Sequence, residues 1–221
     1  MNTNISKVWS GFHSTRYVPL LAGTTFGEMS QYFELNGLLS AGMNVLEIGV
    51  GLGFGVKGFH ALGCNVYALD ICEQAFVGIE NYLVARYIHE RIDELPAGFV
   101  DLATSLLVTQ HMSETDIMHQ FPAVIRSLKP HGIFRVQFAG SDIDEENNVT
   151  ETIIGEPRDN IANLSGTEPT RVSILGGRMV RTPSYAETLI NKCGGKVTRL
   201  SGMRHWAHYQ GYWYWLEVVP T

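Results

Sequence analysis

Between Asn44 and Asp70 the chain reads NVLEIGVGLGFGVKGFHALGCNVYALD. Val45, Leu46 and Ile48 form a short apolar run that stops at Gly49, and glycines then recur at Gly49, Gly51, Gly53 and Gly55. Phe54 to Leu62 follows with Val56, Phe59 and Leu62 at helical spacing, and Gly63 stands where a helix would end. Val66 to Leu69 is a second apolar run closed by Asp70. Strand, glycine turn, helix and strand make a βαβ unit, whose two strands must be parallel. In an open parallel sheet, ligands bind beyond the carboxyl ends of the strands. Glycines in the first turn admit ligand atoms close to the backbone, and an acid ending the second strand can accept the two hydroxyls of a ribose. The unit therefore implies a nucleoside-containing cofactor.

Two glycine patterns compete for the identity of that cofactor. Gly53-Phe54-Gly55-Val56-Lys57-Gly58 is a GxGxxG, the dinucleotide fingerprint. It begins beyond the strand's end and falls largely inside the expected helix. The pattern that abuts the strand is Glu47-Ile48-Gly49-Val50-Gly51-Leu52-Gly53. It resembles motif I of the class I S-adenosylmethionine-dependent methyltransferases, written E/D-x-G-x-G-x-G. A second landmark is Ser127-Leu128-Lys129-Pro130-His131-Gly132 before Ile133 to Phe138, which resembles the family's helix, Leu-Lys-Pro-x-Gly turn and fifth strand. Pro130 cannot continue a helix and Gly132 permits the turn.

The resemblance implies an α/β fold: a Rossmann-like three-layer αβα sandwich around a seven-stranded, mostly parallel sheet of order 3-2-1-4-5-7-6 with strand 7 antiparallel. Helices are expected over Phe26–Leu39, Glu73–Ala85, Glu114–Leu128 and Pro183–Lys192, the last started by Thr182. Strands three to seven are expected over Tyr87–Arg91, Phe99–Val108, Ile133–Phe138, Lys196–Leu200 and Tyr212–Val219. A single domain is expected, with residues 1–43 as a helical leader and 139–182 as an inserted lid or substrate segment. Val172 to Leu175 is a short strand candidate within that insertion.

The same resemblance implies roles. The backbone around Gly49, Gly51 and Gly53 accommodates the methionine part of S-adenosylmethionine, Glu47 orients that end, Asp70 takes the ribose and Ile71 flanks the adenine. An acid before Leu95-Pro96 pairs with the adenine amine in the family. Here that place holds Arg91, which leaves the backbone of Ile92, or Asp93 in a shifted loop, to hold the ring. Ser105, in the fourth strand, is a further candidate for cofactor binding. His111 is the first candidate for a general base, because histidine titrates near ~6.5; the alternative is a packing or capping histidine. Asp142, after strand five, is the second candidate. Arg16 and Tyr17 in the leader are weaker contacts.

Composition narrows partners. The 221 residues carry a net charge of −6, which opposes a nucleic-acid substrate. Three cysteines in no paired motif suggest a reducing compartment, and no apolar run is long enough to span a bilayer, so a cytoplasmic protein is expected. Arg158, Arg171, Arg178 and Arg181 in the insertion are candidates to hold an anionic group, which points to a sugar or phosphorylated metabolite as acceptor. His205 and His208 lack the companion ligands of a metal site. The function read here is methyl transfer from S-adenosylmethionine to a small molecule. Its alternatives are a silent S-adenosylmethionine-binding partner protein and a nicotinamide-dependent oxidoreductase. Neither nucleic acid nor membrane is an expected partner, and the sequence leaves a homodimer open.

Overall fold

Parallel strands need crossovers, and this chain supplies them in order. The computed structural model describes residues 25–140, 151–154, 178–202, 204–206 and 209–221. In it β1 (Asn44–Ile48), α2 (Phe54–Ala61) and β2 (Asn65–Asp70) form the expected βαβ unit, preceded by α1 (Phe26–Tyr32). Then follow β3 (Ala85–Ile88), β4 (Val100–Ser105), α3 (Glu114–Ser127) and β5 (Leu128–Gly140). The rest comprises β6 (Glu151–Ile154), β7 (Arg178–Arg181), α4 (Pro183–Lys192), β8 (Gly195–Leu200), β9 (Arg204–Trp206) and β10 (Tyr209–Pro220). The main sheet runs β3-β2-β1-β4-β5-β10-β8. That is the expected order 3-2-1-4-5-7-6, with β10 antiparallel to both β5 and β8.

Side chains alternate between the two sheet faces. On one face Leu46, Ile48, Phe134, Val136 and Leu216 pack against Ile117, Phe121 and Val124 of α3 and Leu189 and Ile190 of α4. On the other, Val45, Val66, Leu102, Trp213 and Trp215 pack against Met29 of α1 and Val56 and Phe59 of α2. The chain thus has helices on both faces, as the sequence implies. No helix among the described residues is long and apolar enough to cross a membrane.

Several expectations change. The helix expected over Glu73–Ala85 is two 3₁₀ turns, Glu73–Phe76 and Glu80–Tyr82. Between them Val77 is extended and Gly78 takes φ +80°, which breaks the α-helical path while Phe76 and Ile79 still reach the core. The turn at Lys129–Gly132 is absorbed into β5 as an irregularity, since Val100 pairs with Leu128 but Leu102 with Ile133. A Cβ on Gly132 would lie 2.5 Å from the Val100 carbonyl oxygen, so only glycine lets the two chains approach there. The insertion adds sheet: β7 pairs in parallel with β5 through Ala139 and Val180, and β6 pairs antiparallel with β7. The Val172–Leu175 strand candidate lies outside the described residues.

The helix expected over Phe26–Leu39 ends instead at Tyr32. Thr25 caps its start in a reciprocal capping box with Glu28. Its end is held by the sheet. Trp215 Nε1 donates to the Tyr32 carbonyl at 2.8 Å. The guanidinium of Arg135, on β5, donates to the carbonyls of Phe33 and Glu34 and to Glu217 Oε2 at 2.6 Å. It also lies 4.6 Å over the Trp215 ring. Side chains thereby satisfy carbonyls a helix end leaves open. Arg135 is buried, and removing one partner of a buried ion pair typically costs about 3–5 kcal/mol. Arg135→Ala is expected to lose stability of that order in urea unfolding followed by circular dichroism. A loss below about 1 kcal/mol, the range of exposed ion pairs, would show that this contact does not anchor α1.

Candidate functional site

The carboxyl ends of the parallel strands bring together the turn after β1, the end of β2 and the segment after β4. The turn is left-handed at alternate glycines, with φ +72° at Gly49, +54° at Gly51 and +75° at Gly53. Their surroundings differ. A side chain on Gly49 would strike Val108, and one on Gly53 would strike Ile79, whereas Gly51 faces open space. Gly51 is therefore the position where a ligand can lie against bare backbone.

Asp70 ties this turn to β2. Its Oδ2 accepts from the Val50 N–H at 2.9 Å and its Oδ1 from the Ile71 N–H at 2.7 Å. The carboxyl group is nonetheless buried, and desolvation lifts its pKa to about 6 against the pull of those N–H groups. Each oxygen keeps a lone pair for a further donor, so ribose hydroxyls would complete the site.

Glu47 stands on the same sheet edge with no partner for Oε2. Burial first, and then the charge of Asp70, raise its pKa to about 8; a backbone N–H from Val56 works in the opposite direction. Its carboxylate rests against Gly55, where an added Cβ would come within 2.2 Å of Oε1. Gly58 is filled in the same way by the Phe26 ring. This decides between the two glycine patterns. In the GxGxxG, Gly55 and Gly58 lie inside α2 and make room for protein side chains. An orphaned buried carboxylate beside a bare glycine turn fits a cationic, nucleoside-bearing ligand.

The remaining sequence candidates fall as follows. Arg91 forms a two-bond pair with Glu94 at 2.6 Å on the surface. The Ile92 side chain is in the core, and Asp93 is exposed. Ser105 is fully buried at the end of β4, its hydroxyl unpartnered. His111 closes a 3₁₀ turn, Thr109–His111, with Nε2 3.2 Å from Gln110 Nε2. Ile71 follows Asp70 at the edge. Asp142, Arg16, Tyr17, Arg158, Arg171 and His208 lie outside the described residues.

One of the four arginines read as anion-binding is committed elsewhere. Arg181 is buried and donates to the carbonyls of Thr109 at 2.9 Å and Met112 at 2.6 Å. It fastens β7 to the segment that carries His111. Sequence reasoning also passed over Gln137, whose Oε1 accepts from the Leu107 N–H at 2.8 Å. Leu107 is a non-glycine residue at φ +60°, a conformation that recurs at ligand sites. The only sequence signal for Gln137 was a second polar residue, after Arg135, inside a mostly apolar strand. Among the described residues no group of three His, Cys, Asp or Glu side chains is placed to hold a metal.

A family model described as a methyltransferase domain matches residues 46–136, from β1 to β5. No curated protein matches the chain. Among solved structures, the 1,6-didemethyltoxoflavin-N1-methyltransferase of Burkholderia thailandensis, with S-adenosylhomocysteine bound, is similar at 14% identity and TM-score 0.70 over 99% of this chain and 88% of that one. The magnesium protoporphyrin IX methyltransferase of Synechocystis is similar at 15% identity and TM-score 0.57, covering 100% and 88%. A Rhodobacter sphaeroides structure, proposed there to be a Zn-dependent alcohol dehydrogenase, matches at 10% identity and TM-score 0.71 over 100% of both chains. At these identities the likenesses establish the shared fold.

Glu47 makes the unliganded protein pH-sensitive. Its folded pKa lies above its ordinary value of 4.5, so its contribution to stability is fully present below that value and is lost as pH rises through about 8. Asp70 acts in the same sense through about 6. In Glu47→Gln the first of these losses disappears. The difference in Tm between E47Q and the parent is expected to shift in favour of the variant between pH 5 and pH 9, as read by scanning calorimetry. A constant difference across that range would show that Glu47 is not held protonated.

Proposed function

We propose that the protein transfers the methyl group of S-adenosylmethionine to a small-molecule acceptor, starting from the match of residues 46–136 to a methyltransferase-domain model and from the Rossmann-like order of the sheet. The observation that carries the reading is the pairing of the open glycine turn at Gly51 with two buried carboxylates, Asp70 and Glu47, at the ends of adjacent parallel strands. When bound, S-adenosylmethionine supplies a methyl group already activated on a positively charged sulfur, so the difficult chemistry belongs to the cofactor.

The chain's own residues then bind and align. Asp70, oriented by the Val50 and Ile71 N–H groups, accepts the ribose hydroxyls. Gly49, Gly51 and Gly53 bring backbone to the methionine part, and Glu47 faces its cationic end. The backbone at Ile92, with Ile71, flanks the adenine. Holding donor and acceptor in line is the protein's main contribution, and such alignment is worth up to ~7–11 kcal/mol. For an oxygen acceptor, His111 is the base that takes the proton. The Arg181 contacts to Thr109 and Met112 fix its segment from both sides. Asp142 stays the second candidate for that proton. A sugar or phosphorylated acceptor rests on Arg158, Arg171 and Arg178, since Arg181 is committed to backbone. Substrate choice is assigned to residues 139–182, which leave and rejoin the sheet beside β5.

Asp70→Ala tests the reading through binding of S-adenosylhomocysteine in calorimetry. A hydrogen bond to a charged group contributes about 1.5–3 kcal/mol, so the variant is expected to bind roughly tenfold or more weakly. An unchanged Kd would remove Asp70 from the site. Failure of the parent protein to bind the ligand would remove the function.

A further inference from the structure

Gln137 lies in β5, fully buried, and its amide is oriented without ambiguity. Oε1 accepts from the Leu107 N–H, and exchanging the two ends of the amide would set NH₂ against N–H. The donor end therefore points away from Leu107, and Nε2 has no partner. A buried donor without an acceptor is costly and calls for a ligand or a structural reason.

The sheet register shows what surrounds it. Glu47 pairs with Thr104, and Thr104 with Arg135. Gln137 is two residues beyond Arg135, so it shares a sheet face with Glu47 and Thr104 and lies further toward the carboxyl edge. Thr104 Oγ1 and Glu47 Oε2 are likewise buried and unpartnered. Three strands, β1, β4 and β5, thus present one face with an acceptor, a hydroxyl and a donor all unused. Asp70, the ribose acceptor of the proposed reading, sits on the opposite side of β1, in β2.

We propose that Gln137 Nε2 donates to the carboxylate of the amino-acid end of the bound cofactor, with Glu47 facing the ammonium of the same end. The inference rests on the proposed function. A zwitterionic amino acid matches this polarity, since its cation and anion call for an acceptor and a donor side by side. Among the described residues, the two buried arginines near here are engaged. Arg135 serves Glu217 and the Phe33 and Glu34 carbonyls, and Arg181 those of Thr109 and Met112. Gln137 also accepts from Thr109 Oγ1 through its backbone carbonyl at 2.6 Å. The residue that reads the carboxylate thereby also holds the segment leading to His111.

Gln137→Glu keeps the volume and the acceptor for Leu107 and replaces only the donor. At pH 8, calorimetry with S-adenosylhomocysteine and with 5′-methylthioadenosine, which lacks the amino-acid end, separates the alternatives. Q137E is expected to bind S-adenosylhomocysteine more than tenfold more weakly than the parent and 5′-methylthioadenosine within twofold of it. Gln137→Met, which removes the donor without adding charge, is expected to show the same selectivity to a smaller degree. Unchanged S-adenosylhomocysteine affinity, or equal weakening of both ligands in both variants, overturns the assignment. A parent protein that binds 5′-methylthioadenosine and S-adenosylhomocysteine equally well overturns it while leaving the proposed function standing, whereas one that binds neither overturns both.

Discussion

The bond from Val50 N–H to the Asp70 carboxylate joins the two halves of the βαβ unit at the edge where a ligand must bind. Together with the Gly49 N–H, which donates to the Leu69 carbonyl at 2.8 Å, it fixes the glycine turn relative to β2. The turn's left-handed residues give it the shape, and Asp70 gives it a place. The arrangement concentrates negative charge: Glu47 and Asp70 are both buried within one strand spacing, and both are pushed toward the protonated form. A protein optimised only for stability would place apolar side chains there. Buried carboxylates with perturbed pKa values are the common mark of a binding or catalytic site.

Around that edge, buried polar side chains do the positioning. Arg135 and Trp215 hold the end of α1 from below, Gln137 holds Leu107, and Arg181 holds Thr109 and Met112. Each long-range contact crosses from sheet to loop. The core strands thereby dictate loops that, by their own sequence, have little preference for one conformation. Arg135 and Arg181 show how the same residue type serves structure when its donors meet carbonyls.

Much of the fold was legible in the chain itself. The βαβ unit and the helices α3 and α4 follow from local signals: apolar periodicity, Thr182 as a cap, Pro183 at a helix start, glycine at turns. The strand order came from the family resemblance, and the cap at Ser113 was seen only in the structure. The helix expected over Glu73–Ala85 failed because Gly78 and the burial of both Phe76 and Ile79 outweighed its helical pattern. The strands β6, β7 and β9 were not foreseen, because their partners lie far away in sequence. In the candidate site, Gly49, Gly51, Gly53 and Asp70 were marked by spacing, and Glu47 by the resemblance to motif I. Gln137 and the true employment of Arg181 were not, because a polar residue in a strand shows its partner only after the strands are assembled.

The sequence by itself determined that a glycine turn sits between two parallel strands, with an acid at the end of the second, because glycine, strand and acid signals act over a few residues. Tertiary structure alone decided which glycines face a ligand and which make room for Glu47, Phe26, Val108 or Ile79. It alone decided which buried polar atoms are left unpaired. Both are matters of packing between distant segments, where a single Cβ or one hydrogen bond settles whether a position is filled or open.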